Sequence, residues 1–143
     1  MKKFLKTDEW NIIEEGFHAD KLRASESIFS LGNGRFGQRG NFEETYSSDS
    51  LQGSYVAGIS FLDRTRVGWW KNGYPHFFSR IPNAPDWSGI YLRLIDEEVD
   101  LSQWDIKQFE RKLDMKEGIS YRDFEVTLSL IHISEPTRHA QIS

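Results

Sequence analysis

A chain of 143 residues with a formal net charge of −4 has room for one compact domain and lacks the basic excess that a nucleic-acid backbone demands. It has no cysteine, which excludes disulfides, thiolate metal sites and cysteine nucleophiles. No segment reaches the roughly 20 apolar residues of a membrane span, and the basic start Met1–Lys6 lacks the apolar run of a secretory signal, so the expected compartment is the cytoplasm.

Aromatic residues make up 14% of the chain, a content that suits β cores, interfaces and sugar stacking alike. Trp10–Phe17 mixes apolar and acidic residues without a clean period and reads as either a strand or a helical turn. Ser25–Leu31 reads as a strand entering a glycine-rich stretch. Leu51–Phe61 has strand character, with Gly53 and Gly58 marking a bulge or a close backbone approach. Val67–Pro82 reads as an aromatic loop around the Asn72-Gly73 turn signal. Ile90–Val99 alternates and turns at Asp96-Glu97-Glu98, a hairpin pattern. Ile106–Met115 fits a helical stripe and a strand equally well. Ile119–Thr127, after Gly118, has clear β character. Roughly six short strands punctuated by Gly and Pro predict an all-β fold, a partial antiparallel β-sandwich over residues 1–127.

Each motif with chemical potential has a plainer reading. Gly32-Asn33-Gly34-Arg35-Phe36-Gly37 matches G-x-G-x-x-G, but Gln38-Arg39-Gly40-Asn41 continues it without the helix a dinucleotide site needs. A tight β-turn is the expectation. Glu43-Glu44 and Asp96-Glu97-Glu98 are the acidic clusters. Glycoside cleavage needs carboxylates facing across a bond, whereas neighbours on a strand point to opposite faces. Both clusters are therefore read as solvated surface. Trp69, Trp70, Tyr74, Phe77 and Phe78 could stack on a sugar, but packing in an interface or in the core is the favoured reading. His18 and His76 have no partner at metal-ligand spacing. Catalytic, cofactor-binding and metal-binding residues are each expected to be none.

From Leu128 the string Leu-Ser-Leu-Ile-His-Ile-Ser-Glu-Pro-Thr-Arg resembles the translation of a transposase adapter used in DNA sequencing libraries. Residues 128–143 are accordingly expected to be a non-native tail, to be left out of fold reasoning, with native sequence running to about Thr127. A sandwich cut there would expose an unpaired strand edge.

Several motifs converge on one family. Trp10–Phe17, Glu26–Gly34 and Gly37–Glu44 resemble the start of glycoside hydrolase family 65, which contains phosphorylases of maltose, trehalose, kojibiose and nigerose. Ser50–Gly58, Val67–Pro75 and Pro82–Pro85 are most similar to the members that act on maltose, and Leu113–Gly118 is similar to a later β motif of the family. The resemblance implies an N-terminal β-sandwich followed by a catalytic helical barrel. It implies inverting phosphorolysis, maltose and inorganic phosphate giving β-glucose 1-phosphate and glucose, with no metal or organic cofactor. The general-acid glutamate and the phosphate site would lie downstream, so this chain would itself be inactive. The partners implied are a disaccharide, phosphate and a second copy in a homodimer. A hydrolase of the same family, a trehalose or kojibiose phosphorylase and a non-catalytic sugar-binding module remain as alternatives. The Val67–Pro75 loop is expected to approach the mouth of the active site.

Overall fold

The computed structural model describes residues 4–64, 75–94, 97–127 and 139–142. In chain order the strands are β1 (Leu5–Thr7), β2 (Asn11–Glu15), β3 (Leu31–Gly32), β4 (Phe36–Gln38), β5 (Ser54–Val56), β6 (Phe61–Arg64), β7 (Phe77–Arg80), β8 (Arg93–Leu94), β9 (Glu97–Glu98), β10 (Asp105–Asp114), β11 (Ile119–Thr127) and β12 (His139–Ile142). A single α-helix among the described residues, α1 (Leu22–Ile28), interrupts the series. The fold is all-β and its strand pairings are antiparallel, as the sequence predicts. A five-stranded sheet runs β1-β2-β10-β11-β12, and smaller sheets form from β3-β4-β5, β6-β7 and β8-β9.

The β10–β11 hairpin is the spine. Gly118, at φ 69°, makes the turn between its strands. Pairing continues over Asp105–Asp114 with one irregularity near Lys107. Phe109, Arg111 and Leu113 alternate into the interior, with Phe109 opposite Phe124 and Ile106 opposite Val126 of β11. That period of two resolves Ile106–Met115 as strand, because two flanking strands pair with it. Trp10–Phe17 resolves the same way, with β2 on the other edge of β10.

Of the strand expected over Ser25–Leu31 only Leu31 lies in one, the start of β3, and Ser25–Ile28 is helix. Leu22, Ser25, Glu26 and Phe29 are buried at spacings i, i+3, i+4 and i+7, the stripe of a helix packed on one side. Reading the segment only from Ser25 hides Leu22, and with it the period. Val67–Pro82 is not loop throughout either, since Phe77–Arg80 pairs with β6. Residues 65–74, including the Asn72-Gly73 turn and Trp69-Trp70, lie outside the described residues. The hairpin expected in Ile90–Val99 is present as β8–β9, but Glu97 and Glu98 belong to its second strand instead of its turn. Most of the expected foreign segment, 128–138 and 143, also lies outside the described residues. Its remaining four residues form β12, paired with β11 from Phe124 to Thr127.

The core lies between the inner face of the large sheet and a layer made by α1, the 41–46 segment and Leu101. Leu22, Phe42, Tyr46, Phe109, Phe124 and Val126 meet there, with Phe17 and Trp104 packed against them. Phe42, Tyr46, Phe17 and Phe109 form a cluster of edge-to-face and tilted rings with centroids 5.4–6.2 Å apart. Such contacts add to burial about 0.5–1.5 kcal/mol each.

Candidate functional site

The glycine motif is a turn. Gly32 and Gly37 pair across β3 and β4, and the Asn33 side-chain carbonyl accepts the backbone N–H groups of Arg35 and Phe36. Gly34 takes φ 83°, which an L side chain rarely adopts. No helix opens at these glycines, so the pyrophosphate geometry of a dinucleotide site is absent.

The chemistry concentrates elsewhere, in a row of charges crossing the large sheet. Glu14 of β2, Arg111 of β10 and Arg122 of β11 are successive cross-strand partners on one face. Two arginines directly opposite each other repel unless each has its own counter-charge. Glu14 supplies one: its Oε2 accepts from both Arg111 Nη2 at 2.8 Å and Nε at 3.0 Å, while its Oε1 accepts from the Ser25 hydroxyl. Glu43 and Glu44 supply the other, both accepting from Arg122 Nη2, Glu43 at 2.6 Å. Phe42 lies between the two guanidiniums, 5.5 Å from Arg111 and 4.7 Å from Arg122.

The solvated reading holds for Glu43, which is exposed, and is corrected for Glu44. Glu44 is buried, and both carboxylates reach the same guanidinium. Alternation fails here because residues 41–44 are not in a strand. Neither arginine was singled out from the sequence. The separations of 97 residues in Glu14–Arg111 and 78 in Glu44–Arg122 leave no local signal. The one available clue was a pair of arginines at inward positions of otherwise apolar alternation.

Burial biases the neighbouring titrations. Desolvation pulls the Arg111 guanidinium below its ordinary value, against the pull of Glu14. Desolvation also raises the Glu26 carboxyl, which accepts the Leu51 backbone N–H and so ties the 49–53 segment to α1. Burial alone would raise Asp100 too, but hydrogen bonds from Ser47 and Ser102 outweigh it and hold that carboxyl low.

A cavity of about 360 Å³ opens over Glu43 and Glu44, walled by Tyr46, Gln52 and Tyr91. A second, of about 270 Å³, shares both glutamates with it and reaches Arg111 and Arg122. The two carboxylates are drawn to one guanidinium and do not face each other across a gap. The arrangement is an ion-pair scaffold under a cleft, not an acid–base pair for glycoside cleavage. Glu98 is likewise engaged, accepting from the Thr45 hydroxyl at 2.8 Å. His18 sits 3.7 Å from Glu14 and packs beside Phe4. Phe77 and Phe78 stand exposed on β7. Among the described residues no helix is long and apolar enough to cross a membrane.

An all-β unit braced by an ion-paired arginine row is what the chain presents by itself, and comparison with known proteins assigns its class. Residues 12–134 match the family model described as glycosyl hydrolase family 65, N-terminal domain. The chain belongs to that family. It is 49% identical over 127 residues to a maltose phosphorylase of Bacillus subtilis, covering 89% of this chain and 17% of the relative. An α,α-trehalose phosphorylase of Thermoanaerobacter brockii is 38% identical over 122 residues, 80% of this chain and 15% of the relative. Among solved structures, a human-microbiome protein provisionally named a kojibiose phosphorylase superposes with a TM-score of 0.78 at 35% identity, over 89% of this chain and 17% of its own. The chain thus spans about a sixth of the length of these relatives.

Proposed function

We propose that this chain is the N-terminal β domain of an inverting disaccharide phosphorylase whose substrate is maltose. The observation that carries the choice of sugar is the 49% identity to a maltose phosphorylase, against 38% and 35% to relatives named for trehalose and kojibiose. In this reading a phosphate oxygen attacks the anomeric carbon from the face opposite the glycosidic bond. A carboxylic acid in the downstream part protonates the departing glucose oxygen, so one carboxyl suffices where an inverting hydrolase needs two. The products are β-glucose 1-phosphate and glucose. Maltose and phosphate are the partners of a cytoplasmic homodimer without cofactor, and the 143-residue chain by itself turns nothing over.

The test is to express the full-length gene and incubate the enzyme with phosphate and maltose, trehalose or kojibiose, following the sugar phosphate by NMR. Fastest consumption of maltose with β-configured product is expected. Preference for another disaccharide would replace the substrate, and glucose released without phosphate would replace the reaction. The same reading takes residues 128–143 as adapter-derived, against which stands the family match to residue 134. Resequencing the gene downstream of the Thr127 codon decides between them.

A further inference from the structure

Away from the arginine row, Trp87 is held in place without being buried. It remains 48% exposed, so burial contributes only part of what fixes it. Its indole Nε1–H donates to the Gln38 side-chain oxygen at 3.0 Å. The Gln38 amide nitrogen in turn donates to Ser88 Oγ, and both the Ser88 N–H and its hydroxyl donate to Asp86. Phe36, also half exposed, meets the indole edge-to-face, with centroids 5.7 Å apart and planes at 75°. Two near-perpendicular rings therefore form a fixed, open corner.

The corner belongs to a cavity of about 270 Å³ with a backbone floor at Gly32, Gly37 and Gly118. Gly37 is the informative one. It lies inside a strand, where glycine costs stability, its φ is not positive, and a Cβ there would meet only the Leu31 carbonyl at 3.9 Å. The protein's own packing does not require glycine at that position, and a strand glycine of this kind marks where something else approaches the backbone closely. Among the described residues none of the lining side chains is charged, and the polar ones are the amides of Asn33 and Gln38. Two rings, two amides and no charge suit a neutral polyhydroxylated ring, whose C–H face stacks while its hydroxyls find the amides. They do not suit a phosphate, nucleotide or charged peptide. The volume, just below the roughly 300–1,000 Å³ of drug-sized pockets, accommodates one sugar ring and not a whole disaccharide.

We propose that the Phe36–Trp87 corner is a binding site for one pyranose ring of a neutral glucosyl saccharide. The proposal rests on the phosphorylase reading only for the choice of maltose as probe. The 143-residue chain, ¹⁵N-labelled, is titrated with maltose and, in parallel, with sorbitol, a polyol without a ring face. Shifts of the Trp87 indole N–H and the Gln38 amide with maltose alone are expected, with an affinity on the order of millimolar. Trp87→Ala should abolish them. Trp87→Phe, which keeps a ring but loses the tether, should weaken binding several-fold. Gly37→Leu should block binding while the rest of the spectrum stays folded. No shift far above the millimolar range, equal shifts with sorbitol, or a response retained in both Trp87→Ala and Gly37→Leu would overturn the site. Should the isolated chain not fold, maltose stoichiometry on the full-length enzyme serves instead. One bound maltose per subunit fewer in Trp87→Ala than in the wild type supports the proposal, and an unchanged stoichiometry refutes it. A full-length enzyme inactive on maltose would sink the proposed reaction without touching the result on this chain.

Discussion

The inner face of the large sheet and the β6–β7 hairpin each carry an arginine–carboxylate pair at 2.8 Å, yet the two pairs differ in consequence. Arg111 and Glu14 are 4% and 1% exposed, whereas Arg80 and Asp63 are 60% and 22% exposed. In the interior each charge has lost its water and depends on the other. On the hairpin, solvent screens the attraction and substitutes for it when one partner is removed. The apolar residues divide in the same way. Phe29, Phe42 and Phe109 pack on the buried pair, while Phe61, Leu62 and Phe77 of the hairpin face outward. A two-stranded ribbon exposed in this way has little stability of its own. Geometry alone therefore says little about what a contact contributes, and the environment decides.

The sharpest test of that contrast is Arg111→Ala, which leaves Glu14 buried without its partner. Denaturant unfolding should show a loss of about 3–5 kcal/mol, and Arg111→Lys should recover only part of it because the second hydrogen bond is gone. Next is Gly40→Ala. Its Cβ would come within 2.9 Å of Phe29 Cβ and 3.2 Å of the Phe29 carbonyl, so α1 must move off the 39–42 segment. A cost of about 1–3 kcal/mol is expected, read as a lowered denaturation midpoint.

Glu26 probes the same interior through pH. Its folded carboxyl titrates above the ordinary value because burial disfavours the charge. The stability it contributes is present below the unfolded pKa and lost as pH rises through the raised folded value. Glu26→Gln removes that dependence while keeping an acceptor for the Leu51 N–H. The melting temperature of the variant relative to wild type should climb from acid toward neutral pH, and a flat difference would remove burial as the cause. The smallest effect is predicted for the exposed pair, where Arg80→Ala should change stability by about 0–1 kcal/mol. A loss there as large as at Arg111 would break the comparison.

Some of this was legible in the residues. Ile119–Thr127 and the hairpin near Arg93 are local patterns, and Asn33-Gly34 announces its turn because few residues tolerate the backbone it needs. The likeness of Gly37–Glu44 to its family was legible as well, since a motif is a property of sequence. Helix α1 was within reach once Leu22 was counted. The joining of Glu43 and Glu44 on Arg122 was not, because strand alternation was applied to residues that are in no strand.

The alternation of the chain and its turn residues determined by themselves an all-β unit, and the motifs Trp10–Phe17, Glu26–Gly34 and Gly37–Glu44 carried its likeness to family 65. Only the tertiary structure decided that Glu14, Arg111 and Arg122 share one row, and that Trp87 is tethered to Gln38 beside Phe36. The reason is physical. Local periodicity records which face of a strand is apolar, but the pairing of distant charges and rings depends on register between strands, which is settled when the whole interior closes.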